Sequence, residues 1–195
     1  MLLGLTGGIA TGKSTLASLL LGRANLVAFD ADACVHELLA SYDEVISAIR
    51  LEFSLPEAPL DRTALRQIVF LNPEARRRLE SILHPVVQSR WQTLAKDCRA
   101  NGTSLLADIP LLFETGAAAA FDTTIVVAAS PQVQQQRLLR RGLDREMIDA
   151  MLASQWPIGQ KVALADHVIW NDGSLAELER QCVLLLDALF PTWNE

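Results

Sequence analysis

The stretch GGIATGKST, residues 7–15, leaves this chain few folds to choose from. It fits G-x-x-x-x-G-K-S/T from Gly7 to Ser14, after the apolar run LLGL and before an apolar run that follows Lys13. Gly7 and Gly12 permit backbone conformations closed to other residues. The N–H groups of Gly8, Ile9, Ala10, Thr11 and Gly12 can then converge on phosphate oxygens, with the positive end of a helix behind them. Lys13 brings a compact charge to the β- and γ-phosphates. The Ser14 hydroxyl is placed to ligate Mg²⁺, and Thr15 closes the nucleotide-binding set. A glycine-rich turn with a surface lysine is the alternative, and the strand-before, helix-after context counts against it.

The rest of the chain repeats that context. LLGL (2–5), LVAFD (26–30), SLLADI (104–109), TTIVVAA (123–129) and HVIW (167–170) are short continuous apolar runs. Runs of this kind suit strands of a parallel sheet covered on both faces. Helical patterns alternate with them at 13–21, 131–141, 144–155 and 174–189, which predicts a doubly wound α/β fold. No glycine occurs between Gly22 and Gly102. The block between them reads as helix after helix in SYDEVISAIRLEF, LDRTALRQIVFL and PEARRRLESILHPVVQSRWQTLAKDCRA. Pro73 opens the last of these, and Pro85 is expected to end or kink it after His84.

Composition narrows the function. A net charge of −6 argues against nucleic acid or an acidic membrane as the main partner. Cys34, Cys98 and Cys182 are odd in number and form no CxxC, so reduced thiols in a cytoplasmic protein are expected rather than a disulfide framework or a zinc site. No run of 18 apolar residues is present to span a membrane, and the Leu-rich stretch 16–21 lacks a signal-peptide layout.

A nucleoside triphosphate loop is shared by motors, switches and kinases. The guanine-reading N-K-x-D, the switch D-x-x-G and LSGGQ are all absent, which favours a small kinase. Ligands gather beyond the carboxyl ends of strands, so Asp30 or Asp32 of DAD is a candidate to accept a hydroxyl proton, while the other is structural, as a cap of the next helix, or holds Mg²⁺ through water. Asp108 of DIPLLFE is a candidate outer-sphere Mg²⁺ group, and Glu114 is either a ligand contact or a solvated charge. RLLRRG (137–142) sets Arg137, Arg140 and Arg141 near one helix face, where a lid can lay an arginine over the transferring phosphoryl group. Arg141, beside Gly142, is favoured.

Together these pieces resemble the dephospho-CoA kinase family. LTGGIATGKST, DAD, LHPVV, DIPLLFE, RLLRR, Gln155 followed by Lys161, and ADHVIWNDG occur in the family order across nearly the whole chain. The resemblance implies ATP and Mg²⁺ as cofactors and dephospho-CoA as the small-molecule acceptor, phosphorylated on its ribose 3′-hydroxyl. It implies a monomer or weak homo-oligomer of P-loop NTPase fold, with a five-stranded parallel sheet and helices on both faces. The core would be 1–32 and 103–195, the helical acceptor-binding insertion about 33–102 and the lid about 137–160. By the same resemblance, Asp32 is the general base and Lys13 and Arg141 are catalytic. Asn171 lies near adenine, and Asp32, His84, Pro110 and Leu111 contact the acceptor. Three places depart from the family's usual pattern: Ala10 stands where glycine is usual, His36 where many members carry arginine, and QWPIGQK lacks the usual charged residue or two before Lys161.

Overall fold

The computed structural model describes residues 1–56, 59–70 and 72–191. Leu71, the last residue of the LDRTALRQIVFL stretch, lies outside the described residues. The chain divides into two compact units, Met1–Phe29 with the chain from Cys98 onward, and Asp30–Asp97.

The strands are β1 (Leu2–Gly7), β2 (Leu26–Asp30), β3 (Ser104–Asp108), β4 (Thr123–Ala128) and β5 (His167–Trp170). They form one parallel sheet in the order β2-β3-β1-β4-β5. β1 is buried at every position, as a central strand covered on both faces must be, whereas the edge strand β5 alternates. Leu3 faces Leu106 on one side and Thr123 on the other. The connection from β1 runs toward β2 and the one from β4 toward β5. Diverging connections of this kind open a crevice at the carboxyl ends of β1 and β4.

The helices are α1 (Lys13–Leu21), α2 (Ala31–Ser41), α3 (Asp43–Phe53), α4 (Arg62–Phe70), α5 (Pro73–Ala100), α6 (Pro131–Arg140), α7 (Arg145–Leu152), α8 (Ile158–Leu164) and α9 (Leu175–Leu189). In the first unit, Leu178, Cys182, Leu185, Leu186 and Leu189 form the apolar stripe of α9. With Leu16 and Leu20 of α1 they cover Leu3, Leu5, Ile125, Val127 and Ile169 of the sheet. Ser174 and Glu177 close a capping box that fixes where α9 starts. On β1, a side chain at Gly4 would meet Leu112 and Phe121 at 3.0 Å, so the segment after β3 packs tightly on the strand that feeds the glycine loop.

In the second unit, Asn72 accepts hydrogen bonds from the N–H groups of Glu74 and Ala75, so α5 begins at Pro73 as expected. The helix does not end after His84, because α5 runs through Pro85 to Ala100. A mid-helix proline costs about 3 kcal/mol. Leu83, Val87, Trp91 and Ala95, each four residues apart, are all buried, and burying a large apolar side chain returns about 1.5–3 kcal/mol. The ring of Pro85 itself lies on the exposed side. The sequence pattern shows no sign of α8, which is only 7 residues long. No helix among the described residues is long and apolar enough to cross a membrane.

Candidate active site

The glycine loop is shaped from behind. Gly12 caps α1 at φ 95°, and a side chain there would collide with the Asn171 amide. At Gly7 a Cβ would sit 2.6 Å from the Val127 carbonyl. Only glycine fits either position. Ala10 adopts φ 58°, a left-handed conformation that costs an L-residue roughly 1–2 kcal/mol.

Donors from two other elements hold the loop carbonyls. Gln134 Nε2 donates to the Ile9 carbonyl at 2.7 Å. Arg137 Nη1 donates to the carbonyls of Ala10 and Thr11 at 3.1 and 3.2 Å, and its Nη2 to that of Asn171 at 2.8 Å. Asn171 Nδ2 donates to the Thr11 carbonyl at 2.8 Å. The Thr11 hydroxyl donates to the Gly8 carbonyl at 2.9 Å. With its negative ends so occupied, the loop is left to present N–H groups, and no side chain caps the first turn of α1. Lys13 forms an ion pair with Asp108, the residue in register with Leu5 on the adjacent strand.

Beside the loop lies a cleft of about 230 Å³ whose lining includes Ala10, Gly12, Thr15, Arg137, Arg141, Asn171 and Gly173. Arg141 caps α6, and Gly142 follows at φ 81°, the left-handed conformation that commonly ends a helix. Behind the cleft, Asp172 accepts hydrogen bonds from the Ser130 N–H at 2.7 Å and from Trp170 Nε1 at 3.0 Å. Burial pushes its carboxyl up, but the Ser130 and Trp170 bonds and the Arg137 charge outweigh that and hold it below the usual carboxylate range. The loops after β4 and β5 are thereby tied together next to Asn171.

The loop residues 8–15, Asn171 and Arg141 therefore gather in the first unit, with Ser14 exposed in the first turn of α1. In the same unit, Pro110 and Leu111 lie in the turn after β3. Pro110 engages through its carbonyl, which accepts from Thr6 Oγ1 at 2.9 Å and from Lys161 Nζ at 2.8 Å. Glu114 is no solvated charge, because its Oε1 pairs with Lys161 at 2.8 Å. The second unit carries the remaining candidates. Asp30 caps α2 by accepting from the Ala33 N–H, and Asp32 stands exposed in the first turn with His36 exposed one turn on. His84 is half-buried on α5.

Sequence reasoning missed Gln134 altogether and weighed Arg137 only as a lid arginine. They are three residues apart, on one face of α6, within the polar run QQQR that reads as solvated; in fact Gln134 is buried. Only the spacing i, i+3 next to a strand end hinted at it.

The parallel sheet, the glycine loop and the lined cleft define a P-loop kinase. A model of the dephospho-CoA kinase family matches residues 1–177. A dephospho-CoA kinase of Geobacter metallireducens is 40% identical over 95% of this chain and 94% of its own length. A solved protein of Thermus thermophilus superposes with a TM-score of 0.79 at 34% identity, covering 97% of each chain. The solved dephospho-CoA kinase of Campylobacter jejuni superposes at 0.72 with 28% identity, covering 96% of each. The chain belongs to the dephospho-CoA kinase family.

Proposed function

We propose that this protein transfers the γ-phosphate of ATP to the ribose 3′-hydroxyl of dephospho-CoA, giving CoA and ADP in the cytoplasm. The observation that carries the reading is the braced glycine loop beside Lys13, Arg141 and Asn171, in a chain whose family match spans residues 1–177. ATP phosphates bind the N–H groups of residues 8–15 and Lys13, and adenine lies toward Asn171. Asp32 of the second unit orients the acceptor hydroxyl and takes its proton. The freed oxygen attacks the γ-phosphorus in line, the bond to the β-phosphate oxygen breaks, and ADP leaves. Lys13 and Arg141 stabilise the charge that develops on the phosphoryl oxygens. His84, Pro110 and Leu111 are the further acceptor contacts, and the helical unit 30–97 is the acceptor-binding part.

No group of three His, Cys, Asp or Glu residues among the described residues is built to hold a metal. Ser14 stands exposed in the first turn of α1, and its hydroxyl would be a protein oxygen for Mg²⁺, an ion held mainly by nucleotide phosphates and water with one or two protein oxygens. When bound, the ion neutralises phosphate charge.

The test is ADP release from MgATP with dephospho-CoA added or omitted, adenosine and AMP serving as control acceptors and mass spectrometry identifying the product. Release that depends on dephospho-CoA and yields CoA is expected. Stimulation by a different acceptor alone refutes the substrate assignment. Tight nucleotide binding with no acceptor-dependent release would instead indicate a regulatory module.

A further inference from the structure

Lys161 on α8 is fully buried, with 0% of its side chain exposed. A buried ammonium is expensive unless every donor is used well. Here Nζ donates to the Pro110 carbonyl and to Glu114 Oε1, both at 2.8 Å. The Pro110 carbonyl is the one that Thr6, at the end of β1, also grips. Glu114 Oε1 additionally accepts the Trp156 N–H at 3.2 Å. The turn after β3 is thus clamped between the strand that feeds the glycine loop and the segment that leads into α8.

Stability alone does not select this arrangement. Glu114 Oε2 is buried with no hydrogen-bond partner among the described residues, a costly state for a carboxylate oxygen. A buried ion pair is commonly matched or bettered by apolar residues of similar volume. What the ammonium supplies that a methyl group cannot is direction, because it fixes two oxygens of one turn at set distances.

We propose that Lys161 is a positioning residue for phosphoryl transfer. Through the Pro110 carbonyl and Glu114 it sets the turn that presents Pro110 and Leu111 to the acceptor. The proposal rests on the reading of those two residues as acceptor contacts. It assigns Lys161 an effect on the acceptor and none on the nucleotide, whose loop is braced separately by Gln134, Arg137 and Asn171.

The experiment compares the wild-type enzyme with Lys161→Met/Glu114→Leu, an apolar replacement of the whole pair, and measures Tm and both KM values. The double variant should keep a Tm near that of the wild type, raise the acceptor KM about tenfold and leave the ATP KM within about twofold, since a loss of acceptor positioning need not touch nucleotide binding. An unchanged acceptor KM, or an equal rise in both KM values, overturns the proposal. If the double variant fails to fold, Glu114→Gln, which leaves the bond to Pro110 in place, should still raise the acceptor KM by about threefold. No rise there overturns the proposal as well. Leu111→Ala separates the two layers of the argument. If it leaves the acceptor KM unchanged, the acceptor reading falls and the Lys161 proposal with it. If it raises that KM while the pair variants do not, only the Lys161 proposal falls.

Discussion

The glycine loop and the helical unit 30–97 solve opposite problems. The loop holds one conformation through the buried Gln134 and Asn171 and the half-buried Arg137, all donating to the carbonyls of residues 9–11, and tolerates Ala10 at φ 58° in doing so. The helical unit is held by apolar stripes such as Leu83, Val87, Trp91 and Ala95, and two of its ion pairs are open to solvent. Arg90 pairs with Glu37 at 3.0 Å and stacks on Tyr42; Arg78 pairs with Glu52 at 3.3 Å and stacks on Phe53. A phosphate site works by dipoles aimed before the ligand arrives, so it repays buried polar bracing. The solvent-open ion pairs of the helical unit are each worth at most about 1 kcal/mol.

The largest expected effect separates the chemistry assigned to the two units. Asp32→Asn removes the proposed base and should lower kcat by about 10²–10⁴-fold with nucleotide affinity nearly unchanged. Lys13→Met should lower kcat and weaken ATP binding together, because it removes charge felt in both ground and transition states. Steady-state kinetics with calorimetric titration of an ATP analogue checks both. Turnover of Asp32→Asn within a few-fold of wild type overturns the base assignment.

Next in size is Arg137→Met. It leaves the carbonyls of Ala10, Thr11 and Asn171 without their guanidinium donors, and Arg90→Met, which removes only the pair with the exposed Glu37 and the contacts around it, offers the contrast. Losing hydrogen bonds to a charged donor costs about 1.5–3 kcal/mol each in favourable cases. ATP-analogue affinity should therefore fall at least about tenfold in Arg137→Met. Arg90→Met should leave that affinity unchanged and cost no more than about 1 kcal/mol in stability by denaturant titration. Equal effects from the two would erase the distinction between donors that shape the glycine loop and ion pairs on the helical unit.

A pH titration sharpens the same contrast. Asp172 has its carboxyl held below the usual range in the folded protein. A depressed carboxylate stabilises the fold above its unfolded pKa, and that stability is lost as pH falls through the folded value. Asp172→Asn should therefore lower Tm at pH 7, with the gap to wild type closing as pH drops below about 4. A gap independent of pH would assign the effect to the amide's geometry instead of the charge.

Much of this was legible in the chain because it depends on local rules. Apolar runs marked all five strands to within about two residues, Asn72 with Pro73 marked the start of α5, and the spacing of Gly7, Gly12 and Lys13 marked the phosphate loop. The illegible part depends on packing at long range. Pro85 looks like a stop until the buried stripe of α5 is known. Gln134 and Lys161 look like solvated side chains until their carbonyl partners, 125 and 51 residues away in sequence, come into place.

The smallest predicted effect tests how much strain the bracing holds. Ala10 lies at φ 58°, where the side chain of an L-residue crowds its own backbone. Ala10→Gly removes that crowding but gives the unfolded chain more freedom, which costs about 0.5–1 kcal/mol. The strain relieved, roughly 1–2 kcal/mol, is slightly larger, so a net gain of up to about 1 kcal/mol is expected. In a chain of this size that raises Tm by about 2–4 °C. Because Gln134, Arg137 and Asn171 still grip the same carbonyls, ATP-analogue affinity should stay within about twofold. A gain in Tm with unchanged affinity shows that the donors, and not the residue at position 10, set the shape of the loop. A loss of affinity shows that the Ala10 methyl itself restrains it.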